Sequence, residues 1–109
     1  KINSRQKGAA GEREWAKVLE EAGFPASRGQ QFKGGVDSPD VECRALEHIH
    51  FEVKRVERFQ LYPALEQATN DAGPKIPAVA HRKNRHEWVV VLKAEDFLEM
   101  QKQLGYSDC

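Results

Sequence analysis

Long apolar runs, cysteines and an excess of charge of one sign are all lacking in this sequence. No stretch stays apolar over the roughly 20 residues that a membrane-spanning helix needs, and no signal-peptide pattern of basic, apolar and small residues is present. We therefore expect no membrane association. The two cysteines, Cys43 and Cys109, lack a metal-binding spacing, and we expect no disulfide between them. This sparse use of cysteine favours a reducing, cytoplasmic setting.

The balance of charge excludes little by itself, because 17 basic and 17 acidic residues give a formal net charge of zero. The distribution of charge along the chain is more informative than the sum. Both a basic face on a neutral protein and evenly solvated charge agree with this distribution. The basic groups comprise Arg5, Lys7, Arg28, Lys33, Lys54, Arg55, Arg58, Arg82, Lys83 and Arg85.

The composition indicates a folded α/β protein. With 109 residues, of which 39% are hydrophobic, we expect one domain with one core over residues 1–109. The predicted order of elements is α, β, β, β, α, β, β, α, which favours a mixed central sheet flanked by helices. The predicted segments are a helix over 4–22, a short strand within 24–28, strands over 41–43 and 49–54, a helix over 62–72, strands over 76–81 and 87–92, and a helix from about residue 94.

The first predicted helix carries an acid on its apolar side. A buried stripe at helical spacing comprises Trp15, Val18, Leu19 and Ala22. Glu12 precedes Trp15 by three residues and so lies on the same side, where an acid needs a partner. Glu12 is therefore either a salt-bridged structural residue or a metal ligand directed at the sheet. Gly8 and Gly11 weaken the helix and indicate that another group approaches its backbone.

The later segments have their own buried positions. The second helix has an inner stripe of Leu61, Leu65, Ala68 and Ala72. Residues 89–92 are apolar on both faces, which predicts an interior strand. Pro77 predicts either an edge strand or a missing N–H that faces away from any partner strand.

The stretch from Asp40 to Lys54 contains the chemistry around which the chain is organised. Period-two alternation predicts two half-buried strands here, joined by a turn. Glu52 and Lys54 share a face because they are two apart on a strand. If the strands pair as a hairpin, Asp40 lies beside Glu52. Two carboxylates and an ammonium then converge, which are the groups needed to hold a divalent cation next to a phosphate.

This order of residues resembles the PD-(D/E)XK nuclease superfamily, in particular the archaeal-type and phage Holliday junction resolvases. The resemblance covers roughly residues 4 to 80. It rests on Lys7-Gly8-Ala9-Ala10-Gly11-Glu12-Arg13-Glu14, on Pro39-Asp40-Val41 and on Phe51-Glu52-Val53-Lys54. It implies a restriction-endonuclease-like core and a metal-dependent endonuclease that resolves four-way junctions, leaving 5′-phosphate ends, in the cytoplasm of a prokaryotic or phage-infected cell.

The resemblance also implies a role for each site residue. Asp40, Glu52 and the backbone carbonyl of Val53 would bind Mg²⁺ or Mn²⁺. Glu12 would complete the site directly or through water, or serve a second metal. Lys54 would orient the attacking water or stabilise charge on the phosphate. Gln67 corresponds to an accessory glutamine on the helix that follows the motif.

The DNA partner and the oligomeric state follow from the same resemblance. The resemblance implies a homodimer that presents two sites to one junction. The sequence itself offers no recognition helix for reading bases in the major groove, so we expect branched DNA to be bound through its phosphates and recognised by shape. The predicted phosphate contacts are Arg5, Lys7, Arg28, Lys33, Arg55 and Arg58.

Three alternatives remain open from the sequence. One is a nuclease of the same class that acts on flaps, nicks or ends, and another is a catalytically silent DNA-binding module. The third is a zinc protein that uses Cys43, His48 and His50, although their spacing matches no familiar zinc pattern. Otherwise we expect the four histidines of the chain to be surface residues.

Overall fold

The computed structural model describes residues 4–29 and 40–106, with side chains from residue 8 onward. Its elements follow the predicted order, with a short 3₁₀ turn at Arg44–Leu46 added between two strands. The predicted phosphate contact Lys33 and the motif residue Pro39 lie outside the described residues. The elements are α1 (Ser4–Glu21), β1 (Ser27–Arg28), β2 (Val41–Glu42), β3 (Ile49–Lys54), α2 (Leu61–Ala72), β4 (Ile76–His81), β5 (Val89–Val91) and α3 (Ala94–Gln103).

A five-stranded mixed sheet forms the centre of the described structure, in the order β1-β2-β3-β4-β5. Strands β3 and β4 are parallel, and the other neighbouring pairs are antiparallel. Helix α2 makes the crossover that a parallel pair requires. The sheet with its flanking helices confirms the predicted α/β class and agrees with a restriction-endonuclease-like core.

Helix α1 covers one face of the sheet through the predicted apolar stripe. Trp15 and Leu19 are buried, and the ring of Trp15 meets Phe51 of β3 edge-on with 5.6 Å between centroids. Ala22 was expected in this stripe but is exposed, because the helix ends at Glu21. Gly11 confirms the predicted close approach, because a Cβ there would lie 2.6 Å from the Cβ of Arg55. For Gly8 the same prediction was wrong, because no described atom lies within 4 Å of a Cβ built there.

Helix α2 covers the other face with alanines. Its buried residues are Ala64, Ala68 and Ala72. The prediction that the buried stripe begins at Leu61 was wrong, because Leu61 is 36% exposed. Three small side chains at successive helical turns let the helix backbone approach the sheet closely. This leaves room beside the helix for polar groups on the facing side of β3. The helix ends, as predicted, at Gly73, whose positive φ of 60° suits glycine.

The prediction of an interior strand at residues 89–92 was wrong. Strand β5 is at the edge of the sheet, and Val89 and Val90 are about half exposed. The apolar run reflects an uncovered surface, which sequence periodicity does not distinguish from a buried one. Pro77 lies in the interior strand β4, but pairing with β5 begins only at Val79. Of the two explanations predicted for this proline, the correct one is therefore that its missing N–H faces away from any partner strand.

The C-terminal helix α3 packs loosely against the rest of the described chain. It has no buried residue, and Phe97 and Leu98 are more than half exposed. Among the described helices none is both long enough and apolar enough to cross a membrane.

Candidate active site at the β2–β3 hairpin

The hairpin of β2 and β3 brings Asp40 next to Glu52. Val41 pairs with Phe51 in antiparallel register, so the next step along each strand sets Asp40 opposite Glu52. The backbone N–H of Asp40 donates to the carbonyl of Phe51 at 3.1 Å, and its Oδ2 accepts from the N–H of Val53 at 2.8 Å. The position of the Asp40 carboxyl is thus fixed by the backbone of β3.

Asp40 carries a charge that its surroundings do not compensate. Burial and the nearby charge of Glu52 raise the pKa of Asp40 to about 7, and Glu12 adds to the effect. The hydrogen bond from Val53 and the charge of Lys54 lower this pKa, but not enough to offset the burial. A cluster of oxygen donors with too little positive charge is the arrangement that a hard divalent cation satisfies.

Glu12 is buried on α1, as its place in the helical stripe predicted. It is only 8% exposed, and its Oε1 accepts a hydrogen bond from Nε of Arg28 at 2.7 Å. The salt-bridged alternative is therefore present in the structure. The same carboxylate is close enough to Asp40 to raise the pKa of that group, so Glu12 also belongs to the acidic cluster.

Lys54 extends from the same strand face as Glu52 and is held by α2. Its Nζ donates to Oε1 of Gln67 at 3.1 Å, which gives the predicted accessory glutamine a direct contact with the predicted catalytic lysine. A surface pocket opens beside this pair, and Arg58 and Phe59 contribute to its lining. The pocket provides a basic and aromatic surface immediately next to Lys54.

The remaining basic residues have different surroundings. The side chains of Arg5 and Lys7, in the first turns of α1, and the whole of Lys33 lie outside the described residues. Arg55 donates to Glu14 at 3.1 Å and to Asn84 at 3.0 Å.

The Glu14 side chain joins three parts of the described chain. It accepts hydrogen bonds from Arg55, Arg82 and the indole of Trp88. Burial raises the pKa of Glu14, but the hydrogen bonds from Arg82 and Arg55 outweigh it, so the pKa is lowered overall. This network ties α1 to the end of β3 and to the turn after β4.

Two histidines expected at the surface are buried. His50 is fully buried on the α2 side of β3, with Nε2 at 3.3 Å from Oε1 of Glu52. His81 is only 9% exposed, stacks on Phe59 and lies 3.0 Å from the carbonyl of Val56. Period-two alternation put His50 on the same face as Glu52, and the strand is covered on that face by α2.

The structure contradicts the alternative of a zinc site made by Cys43, His48 and His50. Cys43 is buried in the core cluster with Trp15 and Phe51, on the α1 side of the sheet. His50 lies on the opposite face, and His48 is exposed. The three residues therefore do not meet. The residue that sequence reasoning missed is Asp71 of α2, whose carboxylate lies near His50 and Glu52.

Comparison with known proteins identifies the family of the chain. A family model described as archaeal Holliday junction resolvase (Hjc) matches residues 3–107. No curated protein and no solved structure matches the chain. The match covers nearly the whole sequence and includes the acidic cluster and Lys54. The chain therefore belongs to the archaeal Holliday junction resolvase family, a family of endonucleases that act on four-way DNA junctions.

Proposed function

We propose that the chain cuts four-way DNA junctions at a Mg²⁺ or Mn²⁺ centre built on the β2–β3 hairpin, leaving 5′-phosphate and 3′-hydroxyl ends. The observation that carries this proposal is the hydrogen-bonded register that brings Asp40 beside Glu52, with Lys54 on the same strand face. Because its substrate is DNA, we propose that it acts in the cytoplasm of a prokaryotic or phage-infected cell.

The donor set supports a hard cation. Asp40, Glu52 and the carbonyl of Val53 would hold it, and Glu12 would complete the site directly or through water. The raised pKa of Asp40 supports this assignment, because a positive charge at the cluster is what this carboxyl lacks. When bound, such a cation polarises the scissile phosphate and makes a neighbouring water more acidic.

Each side chain then has a task in the cleavage. Asp40 is oriented by the N–H of Val53 and contributes a fixed carboxylate. Arg28 neutralises Glu12 through their hydrogen bond. Lys54, a compact point charge, orients the attacking water or stabilises the phosphate oxygens, and Gln67 limits where its ammonium can go.

Phosphate contacts around this centre would supply the affinity for DNA. We propose Arg58, exposed beside Lys54, as a contact close to the cut, with Arg5, Lys7 and Lys33 as further contacts. Arg28 uses its Nε for Glu12 and offers only its other guanidinium nitrogens to a phosphate. Arg55 was predicted in the same role. Since its guanidinium binds Glu14 and Asn84, we assign it first to holding α1 against β3.

A homodimer would explain both paired cutting and the exposed apolar surface. Strand β5 presents Val89 and Val90 at an open edge of the described sheet, and α3 presents Phe97 and Leu98. Exposed edge strands and apolar patches of this kind are typical of interfaces between chains. A two-fold dimer would direct two equal sites at a two-fold symmetric junction.

Cleavage of matched substrates tests the proposal. A four-way junction and a linear duplex of the same arm sequence are incubated in Mg²⁺, in Mn²⁺ and in EDTA. We expect symmetric paired nicks in the junction only, sealed directly by DNA ligase because the ends are 5′-phosphate and 3′-hydroxyl. Equal cutting of the duplex would contradict junction specificity, whereas cutting in EDTA would contradict the metal mechanism.

A further inference from the structure

The face of β3 that meets α2 carries a second group of metal-binding side chains. His50 and Glu52 lie on this face, and Asp71 reaches it from α2. One ligand atom from each of the three residues lies within 4.8 Å of the other two. His50 and Asp71 belong to none of the roles assigned above, so this group extends beyond the proposed cleavage centre.

His50 is buried, and only one of its two ring nitrogens has a polar neighbour. The residue is 0% exposed, and its Nδ1 has no hydrogen-bond partner in the described part of the chain. A buried polar atom without a partner costs free energy. A neutral imidazole carries one N–H and one lone pair. With the proton on Nδ1, the lone pair is on Nε2, the ring nitrogen that faces Glu52, and this lone pair can bind a cation.

The distance between His50 and Glu52 suits two ligands of one ion. Nε2 of His50 lies 3.3 Å from Oε1 of Glu52, which is longer than a strong charge-assisted hydrogen bond. Ligands bound at about 2.1 Å in a tetrahedron are about 3.4 Å apart. The pair therefore has the separation of neighbouring ligands before any side chain moves.

Asp71 is positioned by the way α2 runs along β3. Gln67 already contacts Lys54, at 3.1 Å. Asp71 follows Gln67 by one helical turn, about 6 Å along the axis, while Glu52 precedes Lys54 by about 6.6 Å of strand. The two distances are nearly equal. Asp71 therefore lies beside Glu52, just as Gln67 lies beside Lys54. Asp71 is only half-buried, which leaves an entry path from solvent.

We propose that His50, Glu52 and Asp71 form a second cation site that shares Glu52 with the acidic cluster around Asp40. An imidazole with two carboxylates suits a divalent transition-metal ion such as Zn²⁺, Mn²⁺ or Co²⁺, and suits Mg²⁺ poorly. An ion bound there links β3 to α2 and fixes one side of the Glu52 carboxylate.

The two proposed sites are separable by mutation. Asp40 belongs to the cleavage centre alone, whereas His50 and Asp71 belong to the second site alone. The experiment titrates Zn²⁺ into the metal-free full-length chain by calorimetry, in the presence of excess Mg²⁺, for the native protein, His50→Gln, Asp71→Asn and Asp40→Asn. We expect one Zn²⁺ per chain, affinity at least about tenfold weaker in the first two variants, and affinity within twofold of native in Asp40→Asn.

A measurement on the native protein covers the case in which His50→Gln fails to fold. The ¹⁵N ring signals of His50 are followed during addition of Zn²⁺ in excess Mg²⁺, and we expect the signal of one ring nitrogen to shift at one equivalent as that nitrogen coordinates the ion. An unmoved His50 signal, or Zn²⁺ binding lost in Asp40→Asn but kept in Asp71→Asn, would overturn the second site and leave the proposed cleavage centre intact. Zn²⁺ binding as expected, with no Mg²⁺-dependent cleavage by the native chain, would overturn the cleavage centre instead.

Discussion

The carboxyl of Asp40 accepts a hydrogen bond from the backbone N–H of Val53, at 2.8 Å, while Asp40 itself immediately precedes β2, the strand opposite. This one contact joins both strands of the hairpin and fixes an acid in a partly buried place. It also explains an electrostatic conflict at the site, because the contact holds the Asp40 carboxyl where burial and the charge of Glu52 disfavour its ionised form. The predictions below start from that conflict.

Removing the charge of Asp40 should stabilise the metal-free protein at alkaline pH. The folded-state pKa is about 7, and the unfolded value is about 3.9. The native state therefore binds more protons between these values, and stability falls as pH rises from about 4 to about 7. Asp40→Asn keeps an acceptor for Val53 without the charge. In EDTA at pH 8 we expect it to be more stable than native by about 2–4 kcal/mol, as measured by urea unfolding.

The same comparison at low pH is the control. Below about pH 4 the native carboxyl is protonated in both states, so the two proteins should unfold at similar urea concentrations. A variant that is less stable than native at pH 8 would show that Asp40 is well compensated without a cation.

Cation binding should depend on pH near neutrality. A bound cation needs the ionised form of Asp40, whose pKa is about 7. Binding should then release a proton, and Mg²⁺ affinity should fall by up to tenfold for each pH unit below 7. Calorimetry in two buffers of different ionisation enthalpy at pH 6 measures the proton directly. Equal apparent enthalpies in the two buffers would contradict the assignment of Asp40 as a ligand.

The two glycines of α1 should respond oppositely to alanine. A Cβ at Gly11 would lie 2.6 Å from Cβ of Arg55, so Gly11→Ala must push α1 away from the end of β3. We expect a loss of about 1–3 kcal/mol in the free energy of unfolding. Gly8 has no such neighbour, and Gly8→Ala should gain up to about 1 kcal/mol from helix propensity. Chemical denaturation of both variants measures this, and a stabilised Gly11→Ala would contradict the packing.

Gln67 should affect cleavage and leave junction binding unchanged. Its side chain is exposed on α2 and bonds to Lys54, so Gln67→Ala frees the ammonium without disturbing the core. We expect the single-turnover cleavage rate to fall about tenfold or more, with the junction Kd within twofold. Asn70→Ala, exposed on the same helix, is the matched control and should cut at the native rate. Equal rates for the two variants would remove Gln67 from the site.

Much of the fold and the acidic cluster follows from local sequence rules. Alternation along β3 indicated that Glu52 and Lys54 share a face, and helical spacing indicated that Glu12 is buried. These predictions succeeded because each depends on one element. The failures concern surroundings that other elements supply. His50 is buried only because alanine-lined α2 covers it. Val89 and Val90 are exposed only because nothing in the described chain covers β5. Asp71 becomes a candidate metal ligand only through its position beside β3.

The central claim is that junctions are cut at the Asp40–Glu52 centre, and Glu52→Gln tests it most directly. This change removes one charge at almost constant shape from a residue that is 5% exposed. Glu42→Gln, exposed on the neighbouring strand, is the matched control. Single-turnover cleavage of a four-way junction in Mg²⁺ is measured for both variants and the native chain, together with junction binding.

We predict that Glu52→Gln binds the junction with native affinity and cuts it on the order of 100-fold more slowly or worse, while Glu42→Gln cuts normally. Native-rate cleavage by Glu52→Gln would contradict the central claim, because the Glu52 carboxylate would then not be essential to the centre.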